Sequence, residues 1–296
     1  MISELFAILA PIFIASFAGY VWGKSGEEYP ADFVSKLVMN IGSPCLILGT
    51  MAKVDIDPQV MGQVAIATAL ILFSMGVIAF FMFRYLRWSI PTYLPPVVLP
   101  NNGNMGLPLC LFAYGQLGLA LALGSFMVMM IATFTFGLWI VADSGQTNRE
   151  RFKTIAQQPV IYAMLLAIVV LVTDTQLPRW LGNTLDLLGG IAIPLMTIAL
   201  GVSLAKLKIK TWKRSFFMSC LRIFGGLAMG WLVCYLIGLE GIERSVVLLQ
   251  SAMPIAVFNY MLAVRFNRDP DEVAAMVVVS TLVSFVSLPF LLLLIL

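Results

Sequence analysis

Apolar residues run along this chain in long stretches that short polar segments separate. A helix needs about 20 apolar residues to cross a bilayer, and ten stretches approach or exceed that length. We number them segments 1 to 10, and they span residues 3–23, 33–52, 60–83, 91–113, 117–141, 159–174, 181–204, 214–237, 243–264 and 272–295. The pattern therefore predicts an all-α membrane protein with ten transmembrane helices.

Segment 4 differs from the others because polar residues and helix breakers interrupt its middle. The interruption consists of Pro100, Asn101, Asn102, Gly103 and Asn104. Inside a bilayer, an irregular backbone is tolerated only where protein or a watery cavity surrounds it. Polar residues at that depth usually mark a transport path or a binding site. We therefore predict that segment 4 is a broken helix at a binding site.

The composition supports a membrane protein and argues against an enzyme. Hydrophobic residues make up 60% of the 296 residues, charged residues make up 11%, and the mean hydropathy is +0.97. A soluble domain has about 25% charged residues. The chain contains no histidine, which removes Ser–His and Cys–His catalytic pairs and His-ligated zinc. We therefore expect no catalytic residues, no metal site, no cofactor and no nucleic-acid partner.

Lysine and arginine are unevenly distributed between the two sides of the predicted bundle. The side of the bundle with the loops that follow odd-numbered segments holds 14 of the 18 basic residues and the opposite side holds 3, while Arg222 lies deeper within segment 8. Basic loops stay in the cytoplasm, so we predict a bacterial cytoplasmic membrane protein with both termini outside. Arg222 lies roughly 12 Å deep at 1.5 Å per residue. We expect it to extend toward the cytoplasm; the alternative is an internal charge that attracts anions.

Two pairs of prolines repeat at nearly the same spacing. Pro44 in segment 2 and Pro194 in segment 7 are 150 residues apart, and Pro100 in segment 4 and Pro254 in segment 9 are 154 apart. Self-similarity at one spacing indicates an internal repeat. The two interrupted helices, segments 4 and 9, therefore occupy equivalent places in two halves of the chain.

Each half contains five segments, so the second half must enter the membrane upside down relative to the first. We predict a first five-helix repeat at 1–142, a polar cytoplasmic linker at 143–158 and a second repeat at 159–296. Inverted repeats with matched interrupted helices are typical of secondary transporters, and the interrupted pair points to the substrate site.

The residues beside the two breaks indicate the chemistry of the site. A break exposes N–H groups at the start of a half-helix, and this partly positive end suits an anion. The middle of neither segment contains Asp or Glu, which disfavours proton exchange through a carboxylate, although amides and carbonyls could still coordinate Na⁺. The candidate substrate-binding residues are Asn101, Asn102, Gly103, Asn104, Gln250, Ser251 and Asn259, beside the crossover prolines Pro100 and Pro254.

Two stretches resemble a known transporter family. Residues 99–115, LPNNGNMGLPLCLFAYG, resemble the fourth helix of the PIN-type auxin efflux carriers and their bacterial relatives, the auxin efflux carrier (AEC) family. Residues 251–274, SAMPIAVFNYMLAVRFNRDPDEVA, resemble the ninth helix of that family. The regions around Pro44 and 201–207 are also similar, so the resemblance extends over nearly the whole chain.

The resemblance implies a scaffold of segments 1, 2, 6 and 7 and a transport domain of segments 3–5 and 8–10. Segments 4 and 9 would cross at their prolines, the transport domain would move like an elevator, and Asn101 would contact a carboxylate substrate. Asn102 stands where the plant carriers have Thr, and Ile47 where some have Ser. These departures disfavour auxin as the substrate. The resemblance to the bacterial relatives implies a small mono- or dicarboxylate such as malonate or malate.

Other interpretations stay open. The resemblance also implies a possible homodimer formed through the scaffold. A Na⁺-coupled symporter of the bile-acid type would share the inverted five-helix repeat. A sensor that binds its ligand without moving it is a third possibility.

Overall fold

The computed structural model describes residues 2–141, 156–207 and 211–295. In these residues the chain forms helices and no strands. The predicted linker at 143–158 lies almost entirely outside the described residues. In chain order the helices are α1 (Ile2–Lys24), α2 (Ala31–Met51), α3 (Pro58–Leu86), α4 (Ile90–Val98), α5 (Asn102–Val141), α6 (Pro159–Thr173), α7 (Arg179–Lys206), α8 (Trp212–Ile237), α9 (Gly241–Ser251), α10 (Val257–Arg265) and α11 (Pro270–Ile295).

Seven of the described helical runs are long and apolar enough to cross a membrane: α1, α2, α3, α5, α7, α8 and α11. The predicted all-helical membrane character is therefore confirmed. Segment 6 forms the 15-residue α6, which is apolar but shorter. Segment 9 is divided between α9 and α10, and segment 4 between α4 and the start of α5. The arrangement of ten spans in two inverted repeats stays a prediction.

Helix α5 is interrupted at Gly115. This residue has φ 63° and ψ −152°, so the backbone changes direction there. The positive φ favours glycine because a side chain would be strained in this conformation. The interruption falls where the sequence separates segments 4 and 5. We call the two arms α5a (102–114) and α5b (116–141).

The prolines of segments 2 and 7 follow irregular turns. A wide, π-helical turn at Val38–Gly42 precedes Pro44 in α2. In α7 the helix is interrupted at 190–191, shortly before Pro194. Proline has no N–H to donate, and its ring crowds the carbonyl of the preceding turn. Both helices therefore distort on the N-terminal side of the proline, at positions that the 150-residue spacing relates.

Helices α1 and α7 touch backbone to backbone. A Cβ built on Gly201 would lie 1.8 Å from the Ser16 carbonyl oxygen, and one built on Gly19 would lie 2.1 Å from that of Ile198. The Ser16 hydroxyl also donates to the Thr197 carbonyl at 3.5 Å. Small residues allow such close approach in membrane helix pairs, where packing is a main source of stability.

Replacing Gly201 with alanine should therefore destabilise the protein. The added methyl group would force α1 and α7 apart, and overpacking of this kind costs about 1–3 kcal/mol. The melting temperature of the detergent-purified protein measures the effect. Gly182→Ala in the same helix is the matched control because its Cβ would meet nothing within 4 Å. Equal melting temperatures for Gly201→Ala and the unsubstituted protein would contradict this packing.

The helices pack in two sets. In one, α1 packs along α7, and the second half of α2 packs on α6 and on the start of α7. In the other, α8 packs on α3, α9 and α11, while α4 lies against α3. The sets meet mainly where α1, α2 and α7 contact α5. The two broken helices thus belong to the same set.

Polar contacts join the ends of three helices in the second set. Arg214 of α8 donates to the Tyr93 hydroxyl of α4 at 2.7 Å and to the Glu272 carboxylate of α11 at 3.3 Å. Thr92 of α4 donates to the carboxylate of Asp269, just before α11, at 3.0 Å. These contacts tie the start of α4 to α8 and α11.

Candidate functional site

The two helix breaks predicted from the prolines contact each other directly. The chain between α4 and α5 runs antiparallel to the chain between α9 and α10, and Pro100 pairs with Ile255 in an isolated antiparallel bridge. The Asn101 amide donates to the Pro254 carbonyl at 2.7 Å. Backbone N–H and C=O groups buried in a membrane protein must be hydrogen-bonded. At this contact, each break supplies hydrogen-bond partners for the backbone of the other. We call this contact the crossing.

Further hydrogen bonds hold the crossing in place. The Leu99 carbonyl accepts from the Ala256 amide at 3.3 Å and from Nδ2 of Asn259 at 3.1 Å. The Ile255 amide donates to the Ser280 hydroxyl of α11 at 3.1 Å. Asn259 therefore acts partly as a structural residue, since its amide nitrogen fixes one break against the other.

The sequence explains where α4 ends. A residue before proline is pushed out of the helical region by the proline ring, and Leu99, before Pro100, has φ −98° and ψ 96°. Asn101 then precedes the first turn of α5a with φ −81° and ψ 54°. Helix α4 consequently ends at Val98, the three residues Leu99–Asn101 are not helical, and α5a begins at Asn102, near the middle of segment 4.

Four helix ends converge on the crossing. α4 and α9 end there, and α5a and α10 begin there. Helix starts present unpaired N–H groups, helix ends present unpaired C=O groups, and each terminus resembles about half an elementary charge. The crossing therefore contains two partly positive and two partly negative ends.

Arg222 of α8 binds both negative ends. Its Nη1 donates to the Val97 carbonyl at 2.6 Å, and its Nη2 donates to the Ser251 carbonyl. These carbonyls belong to the last turns of α4 and α9, and Arg222 is fully buried. The expectation that Arg222 extends toward the cytoplasm is therefore wrong. Inward-facing carbonyls, which the sequence does not reveal, give the guanidinium its partners.

The crossing has a net positive character. Two helix starts and two helix ends cancel, and the guanidinium leaves about one positive charge. The helices α4, α5, α8 and α10 contain no Asp or Glu, and the one acidic residue of α9, Glu243, lies in its first turn, distant in sequence from the break. Because no carboxylate in these helices offsets Arg222, the crossing is electropositive.

A very small cavity lies on the Arg222 side of the crossing. Its polar lining comes from Thr68, Asn102, Arg222, Gln250 and Ser251, and Pro100 also lines it. The volume open to the centre of a water molecule is about 10 Å³, near the minimum that one water requires. A carboxylate substrate does not fit this space, so the cavity is no substrate pocket in this conformation.

Several polar atoms at the crossing lack partners among the described residues. They include Nε of Arg222, Oδ1 of Asn102 and Oε1 of Gln250, which belong to residues that line the small cavity. Nδ2 of Asn101 and Oδ1 of Asn259 are also unpaired, and both side chains are 3% exposed. Leaving a buried polar atom unpaired costs about 1–3 kcal/mol. Such atoms are candidates for contact with a ligand or a water molecule.

The structure separates the predicted site residues by their contacts. Gln250 lies over Gly106, where a Cβ would be 2.3 Å from its Oε1, and its Nε2 approaches Sγ of Cys110 at 3.7 Å. Ser251 donates to a carbonyl of its own helix. Asn102, Gln250 and Ser251 therefore share the packed side of the crossing around the small cavity.

The start of α5a faces α7. A Cβ on Gly103 would lie 3.0 Å from the Phe126 ring and 3.7 Å from the Met196 sulfur. Met196 follows Pro194 in α7, so the crossing abuts the irregular part of that helix. Asn104 is partly exposed. Among the predicted residues, Gly103 thus lies at the boundary between the two sets of helices.

Three contributors to the site were missed by the sequence reasoning. Arg222 was expected to extend toward the cytoplasm, but it binds carbonyls at the crossing. A single arginine within an apolar segment was the available signal of such a buried role. Thr68 of α3 and Ser280 of α11 were not considered. A lone hydroxyl in an apolar helix normally bonds to its own helix, so nothing in the sequence distinguished these two.

An apolar, all-helical chain with two broken helices that bind each other is the arrangement expected of a membrane transport protein. The comparison with known families agrees. The chain belongs to the membrane transport protein family, the AEC family that its sequence resembles: the family matches residues 5–156 and 149–292.

Similar proteins occur in archaea and bacteria. An uncharacterized transporter of Methanothermobacter thermautotrophicus is 26% identical over 281 residues, which cover 91% of this chain and 90% of the relative. An uncharacterized transporter of Methanocaldococcus jannaschii is 22% identical over 291 residues, or 94% of both chains. The uncharacterized transporter YfdV of Escherichia coli is 22% identical over 314 aligned positions, which cover 98% of this chain and 97% of the relative.

Proposed function

We propose that this protein is a secondary transporter for a small organic anion, a mono- or dicarboxylate such as malonate or malate. The supporting observation is the charge at the crossing: Arg222 binds the carbonyl ends of α4 and α9, while the N–H ends of α5a and α10 stay available. A carboxylate could accept hydrogen bonds from those ends and from Nδ2 of Asn101. The charge of Arg222 would attract the carboxylate without a direct ion pair, because the guanidinium already donates to the two carbonyl ends.

We further propose ten membrane crossings in two inverted five-helix repeats, residues 1–142 and 159–296. In this arrangement α1, α2, α6 and α7 form a scaffold, and the remaining helices form a transport domain that moves past it like an elevator. The packing of the helices in two sets supports this division. The distribution of basic residues favours the cytoplasmic membrane, with both termini outside.

The proposal disfavours Na⁺ coupling at the crossing. Sodium needs oxygen ligands, and in transporters with broken helices the carbonyls at half-helix ends supply them. Here the carbonyl oxygens at the ends of α4 and α9 already accept hydrogen bonds from Arg222. Repulsion by the guanidinium would further weaken cation binding.

Uptake by proteoliposomes tests both the substrate class and the coupling. We expect the purified protein to take up radiolabelled malonate or malate at the same rate with and without a Na⁺ gradient. Unlabelled carboxylates should compete, whereas the uncharged diamide of malonate should not. Liposomes without protein serve as the control.

Three results would contradict the proposal. Uptake that requires Na⁺ would favour the symporter of the bile-acid type. Transport of the uncharged diamide in preference to the acid would exclude an anion site. A rise in melting temperature with a carboxylate, which indicates binding to the native state, but no flux would favour a sensor.

A further inference from the structure

A large apolar cleft lies on the outer side of the second set of helices. It has a volume of about 710 Å³ and is bounded by α3, α4 and α5b. The short helix α4 contributes Ile90, Pro91, Leu94 and Val98 to its lining. The cleft is separate from the crossing, since none of the amides at the breaks lines it.

Two features of the sequence make room for the cleft. Gly76 of α3 faces it, and a Cβ there would be 3.7 Å from Val98 and 3.8 Å from Phe136. A wide turn at Thr133–Gly137 distorts α5b along the opposite wall. The lack of a side chain at Gly76 and the distortion of α5b thus leave space for the cleft. Larger side chains on undistorted helices would pack against α4 and fill this space.

The walls of the cleft carry large apolar side chains that face outward. Phe73 and Phe81 of α3 are 73% and 65% exposed, and Trp139 of α5b is 65% exposed. In a membrane protein such a surface is covered by hydrocarbon. The cleft is therefore suited to a lipid acyl chain, which is long, flexible and apolar.

One end of the cleft is basic. Phe81 and Ile90 both line the cleft, and the turn between them carries Arg84 and Arg87. Arg84 lies three and four residues after the cleft residues Phe81 and Phe80, so it shares their helix face. Both arginines are exposed, and neither pairs with a carboxylate in the part of the chain that the structure describes. This loop is on the predicted cytoplasmic side, where anionic lipids attract basic residues.

We propose that this cleft binds an anionic phospholipid, with an acyl chain against α4 and the phosphate on Arg84 and Arg87. A large apolar cleft is combined here with two arginines at its end, neither of which pairs with a carboxylate among the described residues. This combination distinguishes the site from ordinary lipid-facing surface. The proposal depends only on membrane insertion and is independent of the transported substrate. Because α4 ends at the crossing, the lipid would contact one of the half-helices that form the candidate site.

Native mass spectrometry of the purified full-length protein tests the proposal. The protein is incubated in detergent with equal amounts of phosphatidylglycerol and phosphatidylcholine, and the bound lipid is counted. We expect phosphatidylglycerol to be retained preferentially. The double variant Arg84→Gln, Arg87→Gln should weaken this binding by about fivefold for each arginine, the effect of roughly one basic residue near a lipid surface.

Two further variants separate the cleft from general surface charge. Gly76→Leu fills the cleft and leaves both arginines in place, so it should also reduce phosphatidylglycerol binding. Lys24→Gln with Lys36→Gln removes two exposed basic residues on the same predicted side, away from the cleft, and should have little effect.

Equal retention of the two lipids would overturn the proposal, as would equal loss in the arginine and lysine double variants. Unchanged binding in Gly76→Leu would show that the lipid lies elsewhere. The melting temperature of each variant without added lipid identifies any that fail to fold; if Gly76→Leu is among them, Gly76→Val replaces it.

Discussion

Replacing Arg222 with methionine should abolish transport of the anionic substrate. The substitution keeps an unbranched apolar side chain at a fully buried position but removes the donors to the Val97 and Ser251 carbonyls. The charge at the crossing would fall from about +1 to about zero. An anion would then lose the attraction of the guanidinium and meet two partly negative helix ends whose carbonyls no longer have a donor.

The same substitution should lower stability. Each buried carbonyl left without a donor costs about 1–3 kcal/mol, so a clear decrease in melting temperature is expected. Arg222→Lys separates charge from geometry, since an ammonium group retains the charge but lacks the guanidinium fork that reaches two helix ends. We expect Arg222→Lys to bind the carboxylate weakly, and Arg222→Met not to bind it.

Uptake in proteoliposomes and ligand-induced shifts in melting temperature measure these effects. Arg179→Met is the control because Arg179 is exposed at the start of α7, far in sequence from the crossing. Normal uptake by Arg222→Met would show that the positive charge is not required, and the anion proposal would have to be abandoned.

Replacing Asn101 with alanine should abolish transport while leaving the fold intact. The Asn101 backbone amide, which donates to the Pro254 carbonyl, remains in the variant. The side-chain Nδ2 has no partner among the described residues, so its removal breaks no hydrogen bond within them. The melting temperature without ligand should therefore change little.

The effect on substrate binding should be large by comparison. A hydrogen bond to a charged group contributes about 1.5–3 kcal/mol, which corresponds to roughly a 10- to 150-fold loss of affinity. Asn101→Asp has nearly the same shape and should also fail, because its carboxylate repels an anion. Asn183→Ala, at an exposed position in α7, is the matched control. If Asn101→Ala transports at the normal rate, the substrate site lies elsewhere.

Local sequence features were sufficient to predict where the helices break. Proline lacks an N–H and restricts the residue before it, so Pro100 and Pro254 favour the interruptions near them. Proline was not sufficient by itself, since Pro11 and Pro289 lie inside continuous helices; the polar residues beside Pro100 and Pro254 supplied the rest of the signal. Pro100 and Pro254 are 154 residues apart, and Pro44 and Pro194 are 150 apart. These similar spacings indicated that the break in segment 4 corresponds to the break in segment 9. The apolar stretches and the family membership were likewise accessible, because hydrophobic length and motif similarity are properties of the sequence itself.

The partners of the polar groups were not accessible from the sequence. Asn101, Asn102 and Asn259 were all predicted from the sequence to bind substrate beside a break, yet their contacts differ in the structure. Asn102 lines the small cavity, Asn259 fixes the crossing, and Asn101 keeps an unpaired donor. A side chain's direction depends on how helices distant in the sequence pack around it.

Arg222 shows the difference between the two kinds of information most clearly. The sequence determined that one arginine lies within an apolar helix, and its depth was compatible with either orientation. Only the tertiary structure places two helix ends, one at Val97 and Val98 and the other at Ser251, within reach of its guanidinium. The physical reason is that a buried charge turns toward the acceptors that other helices supply, and those acceptors exist only after the two broken helices have crossed.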